Sequence, residues 1–124
     1  MLSPLPETFL ANKQAEWLQS LPSGWQNVGG PVEAQELANQ GYMVIISYLN
    51  PNPGGSGHIQ IVRAYDTRAI GEIEVVGPQV IQAGKVNFNS TSAADGFLSG
   101  YDQAYSPYPW PNDVLYYAHS TNYV

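Results

Sequence analysis

Two apolar runs separated by a loop restrict the folds that are open to this sequence. Residues 42–48 are rich in β-branched and aromatic side chains, which is typical of a buried strand. Residues 58–63 alternate, so that His58, Gln60 and Val62 share one face of a second strand. The segment between the two runs is rich in proline and glycine and predicts a loop. We therefore expect two core strands, most simply antiparallel to each other.

Helices are expected before these strands, and further strands after them. The spacing of apolar residues predicts a helix over residues 6–20 and a shorter one over residues 32–40. Three more strand candidates lie at residues 73–76, 79–83 and 114–119. Residues 87–92 predict a polar loop, and Ser92 can cap a brief turn through Phe97. We expect an α+β fold, with the N-terminal helices packed on an antiparallel sheet of four to five strands.

The chain is small and acidic. Its 124 residues leave room for a single domain, residues 1–124, around one core. A net charge of −6 with only four lysines and arginines disfavours nucleic acids and anionic membranes as partners. No apolar run approaches the roughly 20 residues that span a bilayer, and no signal peptide is visible. We expect a soluble protein, and leave open whether it is exported or delivered to a bacterial cell wall.

His58 is the residue whose position most strongly suggests chemistry. It opens the second core strand directly after the glycine-rich loop, so the sheet holds its backbone while its ring faces a cleft. An imidazole with an ordinary pKa of about 6.5 exchanges a proton near neutral pH, which suits a general base. The alternative is a histidine that only occupies a surface or capping position.

The surroundings of His58 resemble a known family. Gly57 and His58 leading into an alternating strand are similar to the second motif of papain-like cell-wall hydrolases, the CHAP and NlpC-type cysteine amidases and endopeptidases. Residues 41–45 are similar to the apolar signature of the preceding strand in those families, and residues 33–41 to a helix of some amidase-like members. The resemblance covers residues 25–90. It implies a papain-like α+β fold, a peptidoglycan peptide or glycan as partner, and no cofactor.

The resemblance also implies roles for individual residues. His58 would be the general base, and Gln82 on a following strand would orient its ring, with Asn87 as second choice. The substrate-binding residues would be Ser56, Gly57, Asn87 and Trp110.

The absence of cysteine is a large departure from that family, whose members attack an amide carbonyl with a thiolate at a helix N-terminus. In one explanation, Ala11 in the first helix stands where a catalytic cysteine was replaced, naturally or by engineering. In the other, the chain is a non-catalytic module that binds wall peptide, glycan or a protein partner. The resemblance therefore implies a peptidoglycan-directed amidase- or endopeptidase-like domain that is inactive as written, with the binding module as the alternative.

Other kinds of site fit the sequence less well. Ser56 is too close to His58 on one loop to form a nucleophile–base pair, and no serine elbow is present. The carboxylates are scattered or share one helix face, which disfavours a glycosidase. His58 and His119 are the only histidines and make no metal site by themselves. The aromatic residues from Tyr101 to Tyr117 either stack on a ligand or close the core.

Overall fold

The computed structural model describes residues 11–51, 57–82, 88–100 and 108–122. Within these ranges the chain forms four helices and six strands. The helices are α1 (Ala11–Gln19), α2 (Pro31–Asn39), α3 (Ile70–Val76) and α4 (Ala93–Gly100). The strands are β1 (Trp25–Val28), β2 (Tyr42–Tyr48), β3 (His58–Val62), β4 (Gln79–Gln82), β5 (Phe88–Ser92) and β6 (Val114–Asn122).

All six strands belong to one antiparallel sheet with the order β1-β6-β2-β3-β4-β5. Tyr48 at the end of β2 lies opposite His58 at the start of β3, and Val44 lies opposite Val62. This register confirms the expected antiparallel pairing of the two core strands. The last strand, β6, inserts between β1 and β2, so the two edges of the sheet are β1 and β5.

The expected α+β class is confirmed, but the expectation of four to five strands is wrong, because the sheet has six. The two strands that the sequence did not predict are the edge strands β1 and β5. An edge strand has one hydrogen-bonding side without a neighbour and tolerates polar side chains. Residues 88–92 of the predicted loop form such a strand, and Gln79 on β4 donates to Ser90 Oγ across the pair at 2.6 Å.

The segment expected as a strand at residues 73–76 is instead part of helix α3. Its apolar residues are too few to distinguish the periodicity of a helix from that of a strand, so local contacts determine the conformation of the segment. The Arg68 guanidinium lies 3.4 Å from the Glu72 carboxylate one turn later, and Gly77 ends the helix with a φ of 82°. The Gly77 N–H donates to the Ile73 carbonyl at 2.8 Å, which closes the last turn.

The other expected helices have close counterparts. Helix α2 lies one residue before the predicted range. Helix α1 is described over Ala11–Gln19, while residues 6–10 of its predicted range lie outside the described residues. Ser92 does act as a cap, because its hydroxyl accepts a hydrogen bond from the Asp95 N–H at 3.1 Å. The turn that it caps continues as helix α4.

Two clusters of buried residues lie on opposite faces of the sheet. On one face, helices α2 and α4 pack on alternate residues of β2, including Ile46 and Tyr48. On the other, Leu18 of α1 packs against Ile45 and Tyr117. Because neighbouring residues of a strand point to opposite sides, Ile45 and Ile46 belong to different clusters. We refer to these sides as the α2/α4 face and the α1 face.

Gln35 of α2 joins the helix to the ends of β3 and β4. Its side chain is buried; its Nε2 donates to the Arg63 carbonyl at 2.8 Å and its Oε1 accepts from the Gln79 N–H at 2.8 Å. One turn later, Asn39 accepts from the Tyr65 N–H at 2.7 Å. These two side chains continue the backbone pairing beyond the end of β3, which gives the helix segment within residues 33–41 a structural role.

Among the described residues, none of the helices combines the length and the apolar character that crossing a membrane requires.

Candidate functional site

His58 is the first residue of β3, and its ring lies on the α2/α4 face. The ring centre is 4.9 Å from that of Phe97 on α4, and the two rings meet edge to face at 71°. Phe97 is fully buried, whereas His58 is only partly buried. The start of the strand therefore holds the backbone of His58 while α4 supports one side of the ring.

The ring nitrogen Nε2 of His58 lies 2.8 Å from Oε1 of Gln82, the last residue of β4. An amide oxygen can only accept a hydrogen bond, so Nε2 carries the proton and donates it. In this tautomer Nδ1 is unprotonated, and its lone pair can accept a proton as a general base does. The structure thus brings together the two residues that the resemblance paired as base and orienting group.

The Gln82 amide is itself held in one orientation. Its Oε1 also accepts from Nε2 of Gln60 at 2.9 Å, and its Nε2 donates to the Gly96 carbonyl at 3.2 Å and to Ser99 Oγ at 3.3 Å. Gln60, Gly96 and Ser99 were not predicted from the sequence as part of a site. The sequence does contain one indication for Gln60, which is its position two residues after His58 on the same face of the strand.

The surroundings also determine the charge of His58. Burial lowers the pKa of His58 below its ordinary value, because a charged imidazolium loses hydration there, and the hydrogen bond to Gln82 partly offsets this effect. The ring is therefore neutral at pH 7. A neutral imidazole is the form that can accept a proton from a nucleophile or from water.

Trp110 was expected to line the substrate cleft. Its ring stacks on Phe97 with a centre distance of 6.0 Å and an angle of 27°, and its Nε1 donates to the Val75 carbonyl at 3.4 Å. A Cβ atom at position 77 would lie 2.5 Å from the indole, so Gly77 permits this packing. The structure thus connects Trp110 to His58 through Phe97 and gives it a share in closing the core.

The remaining predicted site residues lie elsewhere or outside the described ranges. Ala11 is the first described residue of α1, and Leu18 of this helix packs on the α1 face, opposite to the face that carries the ring of His58. Gly57 directly precedes β3 and is partly exposed. Ser56 and Asn87 fall outside the described residues.

A cleft of about 310 Å³ opens at the same end of the sheet as His58. Tyr48, which helps to line it, lies opposite His58 on β3 and opposite Val114 on β6, so the cleft is one strand away from the imidazole. The lining residues are Tyr48, Leu49, Pro51, Asn112, Asp113 and Leu115. A volume of ~300 Å³ is at the lower end of the range for small-ligand sites. The sequence analysis did not identify this cleft.

Among the described residues, no three histidine, aspartate or glutamate side chains come close enough together to hold a metal ion. In comparisons with known proteins, the sequence matches no protein-family model and no curated protein.

Proposed function

We propose that this chain is a peptidoglycan-directed domain of the papain-like amidase or endopeptidase type, and that it binds wall peptide without cleaving it. The observation that carries this proposal is the hydrogen bond of 2.8 Å between His58 Nε2 and Gln82 Oε1. Papain-like enzymes use a histidine base that a neighbouring side-chain amide orients. His58 and Gln82 are likewise a histidine and a side-chain amide, and the ring N–H of the histidine donates to the amide oxygen.

The chemistry of this class needs one more group. The imidazole takes the thiol proton, the sulfur bonds to the amide carbon, and the carbon–nitrogen bond breaks as the amine leaves with that proton. Water then hydrolyses the thioester and restores the thiol. None of the 124 residues is a cysteine, so this chain by itself cannot form the thioester. We infer that it retains the base and its orienting group and acts on the peptide by binding alone.

The cleft at the same end of the sheet as His58 supports a peptide as the ligand. Asn112 and Asp113 are exposed at its wall and offer amide and carboxylate groups to the amides and amines of a peptide. The described aromatic residues give less support to a platform for glycan stacking, because Tyr116 and Tyr117 are buried and Trp110 packs on Phe97. Tyr101 and Tyr105 lie outside the described residues. We therefore favour the peptide part of the cell wall over its glycan part.

The test is a titration of the chain with soluble stem peptides released from purified cell wall. We expect the ring resonances of His58 to shift in a saturable manner, with no cleavage product by mass spectrometry. Asp113→Asn should weaken the binding, and glycan strands stripped of peptide serve as the control ligand. Unchanged His58 resonances at millimolar peptide, or equal binding of the stripped glycan, would contradict the proposal.

A further inference from the structure

Gln60 has a buried side-chain amide that is hydrogen-bonded to Gln82 of the candidate site. Its side chain has no exposed surface, and its Nε2 donates to two acceptors, Gln82 Oε1 at 2.9 Å and the Ala93 carbonyl at 3.2 Å. The first of these acceptors is the same oxygen that receives the proton of His58 Nε2. Gln60 and the imidazole therefore donate to the same oxygen of Gln82, and Gln60 has no contact with solvent.

We propose that Gln60 is a positioning residue that sets the tautomer of His58 through the Gln82 amide. The Ala93 carbonyl is a backbone group that can only accept, so it turns the NH₂ group of Gln60 toward itself. That NH₂ group in turn requires an oxygen, not a second NH₂ group, from Gln82. The oxygen of Gln82 then requires a donor from His58, which places the ring proton on Nε2.

Gln60 opposes the reversed orientation of the Gln82 amide, in which the amide oxygen and the NH₂ group exchange places. In that orientation the NH₂ group of Gln82 would face the NH₂ group of Gln60, and its oxygen would face the Gly96 carbonyl. His58 would then meet a donor and would need its proton on Nδ1. The Gly96 carbonyl also opposes the reversal, whereas the Ser99 hydroxyl can either donate or accept and does not select an orientation.

The hydrogen bonding of Gln60 also argues against a role in stability alone. Its Oε1 is buried and finds no hydrogen-bond partner among the described residues. A buried acceptor without a partner lowers the stability of the folded state, which is a cost to the fold. An apolar side chain of the same volume would avoid that cost, so the function of this side chain is to be sought in its NH₂ group.

This inference deepens the proposed function, since a fixed tautomer has a catalytic meaning only if His58 is the base of an amidase-type site. The tautomer can nevertheless be measured without any ligand. A chain that binds no wall peptide but has the predicted tautomer would therefore contradict the proposed function and leave the role of Gln60 intact.

The experiment measures the two ring nitrogens of His58 by ¹⁵N NMR in the full chain and in Gln60→Met, which has a similar volume and no amide. We expect one dominant Nε2–H tautomer in the parent chain. In Gln60→Met the two ring shifts should move toward each other, corresponding to about a tenfold change in the tautomer ratio, the expected size for one lost hydrogen bond. The matched control is Gln79→Met, which removes a buried amide of β4 that bonds to Ser90.

Two results would overturn the role of Gln60: a dominant Nδ1–H tautomer in the parent chain, or ring shifts in Gln60→Met that equal those of the parent. If Gln60→Met does not fold, Gln60→Glu takes its place. A carboxylate only accepts, so it should attract the NH₂ group of Gln82 and move the proton of His58 to Nδ1. A Gln60→Glu chain that retains the Nε2–H tautomer would equally overturn the proposal.

Discussion

Gly96 on α4 lies so close to Gln82 on β4 that a Cβ atom at position 96 would stand 2.5 Å from the amide oxygen of Gln82. The same atom would come even closer to Nε2 of Gln60. The Gly96 carbonyl meanwhile accepts a hydrogen bond from the Gln82 amide at 3.2 Å. The absence of a side chain at position 96 therefore allows α4 to lie directly over the two amides that orient His58.

Gly96→Ala should destabilise the protein, although glycine-to-alanine changes within helices usually stabilise by about 0.5–1 kcal/mol. Overpacking against the two amides costs about 1–3 kcal/mol, so we expect a net decrease of ~1–2 kcal/mol in the free energy of unfolding. Urea denaturation measures this difference. The control is Gly71→Ala in α3, where a Cβ atom would meet nothing within 4 Å and where we expect a small gain. A gain in both variants would contradict the close approach.

Substitutions of Gln82 should move the pKa of His58 in opposite directions. The hydrogen bond to Gln82 raises this pKa against the larger effect of burial. Gln82→Met removes the bond and should lower the pKa further, whereas Gln82→Glu places a carboxylate beside the ring and should raise it. The ring resonances of His58 followed by NMR against pH give the midpoint. Equal midpoints in the parent chain and both variants would show that the two side chains are not bonded in solution.

The sequence predicted the centre of the sheet better than its edges. The strands β2, β3, β4 and β6 lie between other strands and carry the apolar patterns that indicate burial. The edge strands β1 and β5 have one partner each and do not need such a pattern. Helix α3 was mistaken for a strand because its apolar run is short, and contacts of Arg68 and Gly77 that are not visible in the sequence determine its conformation.

For the candidate site, the sequence could indicate His58 and Gln82 because strand order and a family resemblance suggested their pairing. It could not indicate Gly96 or Ser99, since they lie on α4, which crosses the sheet only in the folded protein. It also suggested Ala11 as the position of the nucleophile, because the first helix precedes the sheet as the nucleophile helix of that family does. That order contains no information about which face of the sheet a helix covers, and α1 covers the face opposite to the imidazole.

The stability of the fold should depend on pH through His58. Its pKa in the folded state lies below the value of about 6.5 of an unfolded chain, so the unfolded state takes up the proton first as the pH falls. The free energy of unfolding should therefore be constant above this value, decrease as the pH drops below it, and level off below the folded-state pKa. Urea titrations of the parent chain and His58→Phe between about pH 8 and pH 5 isolate this contribution. An equal slope in both chains would rule it out.

Gln35→Met should be among the most damaging changes away from the site. It removes the donor to the Arg63 carbonyl and the acceptor of the Gln79 N–H, and it leaves both backbone groups without these partners. The Gln79 N–H is the buried one of the two groups, so at about 1–3 kcal/mol for one unsatisfied buried group we expect a loss of ~1–3 kcal/mol in the free energy of unfolding. Gln40→Met, at the exposed end of the same helix, serves as the control. A loss below ~1 kcal/mol for Gln35→Met would mean that water replaces the amide.

A cysteine introduced at position 11 should not acquire a catalytic partner. Leu18 of α1 packs on the face of the sheet opposite to the imidazole, so we expect neither a direct proton transfer nor one through a single water. The chain has no other cysteine, so the pH profile of alkylation reports on Ala11→Cys alone. We expect this profile to be the same in Ala11→Cys and in the double variant with His58→Phe, and no gain in peptide release from cell wall. If the thiol of Ala11→Cys ionises at lower pH only when His58 is present, the two groups lie side by side. Position 11 would then again be the candidate position of the nucleophile.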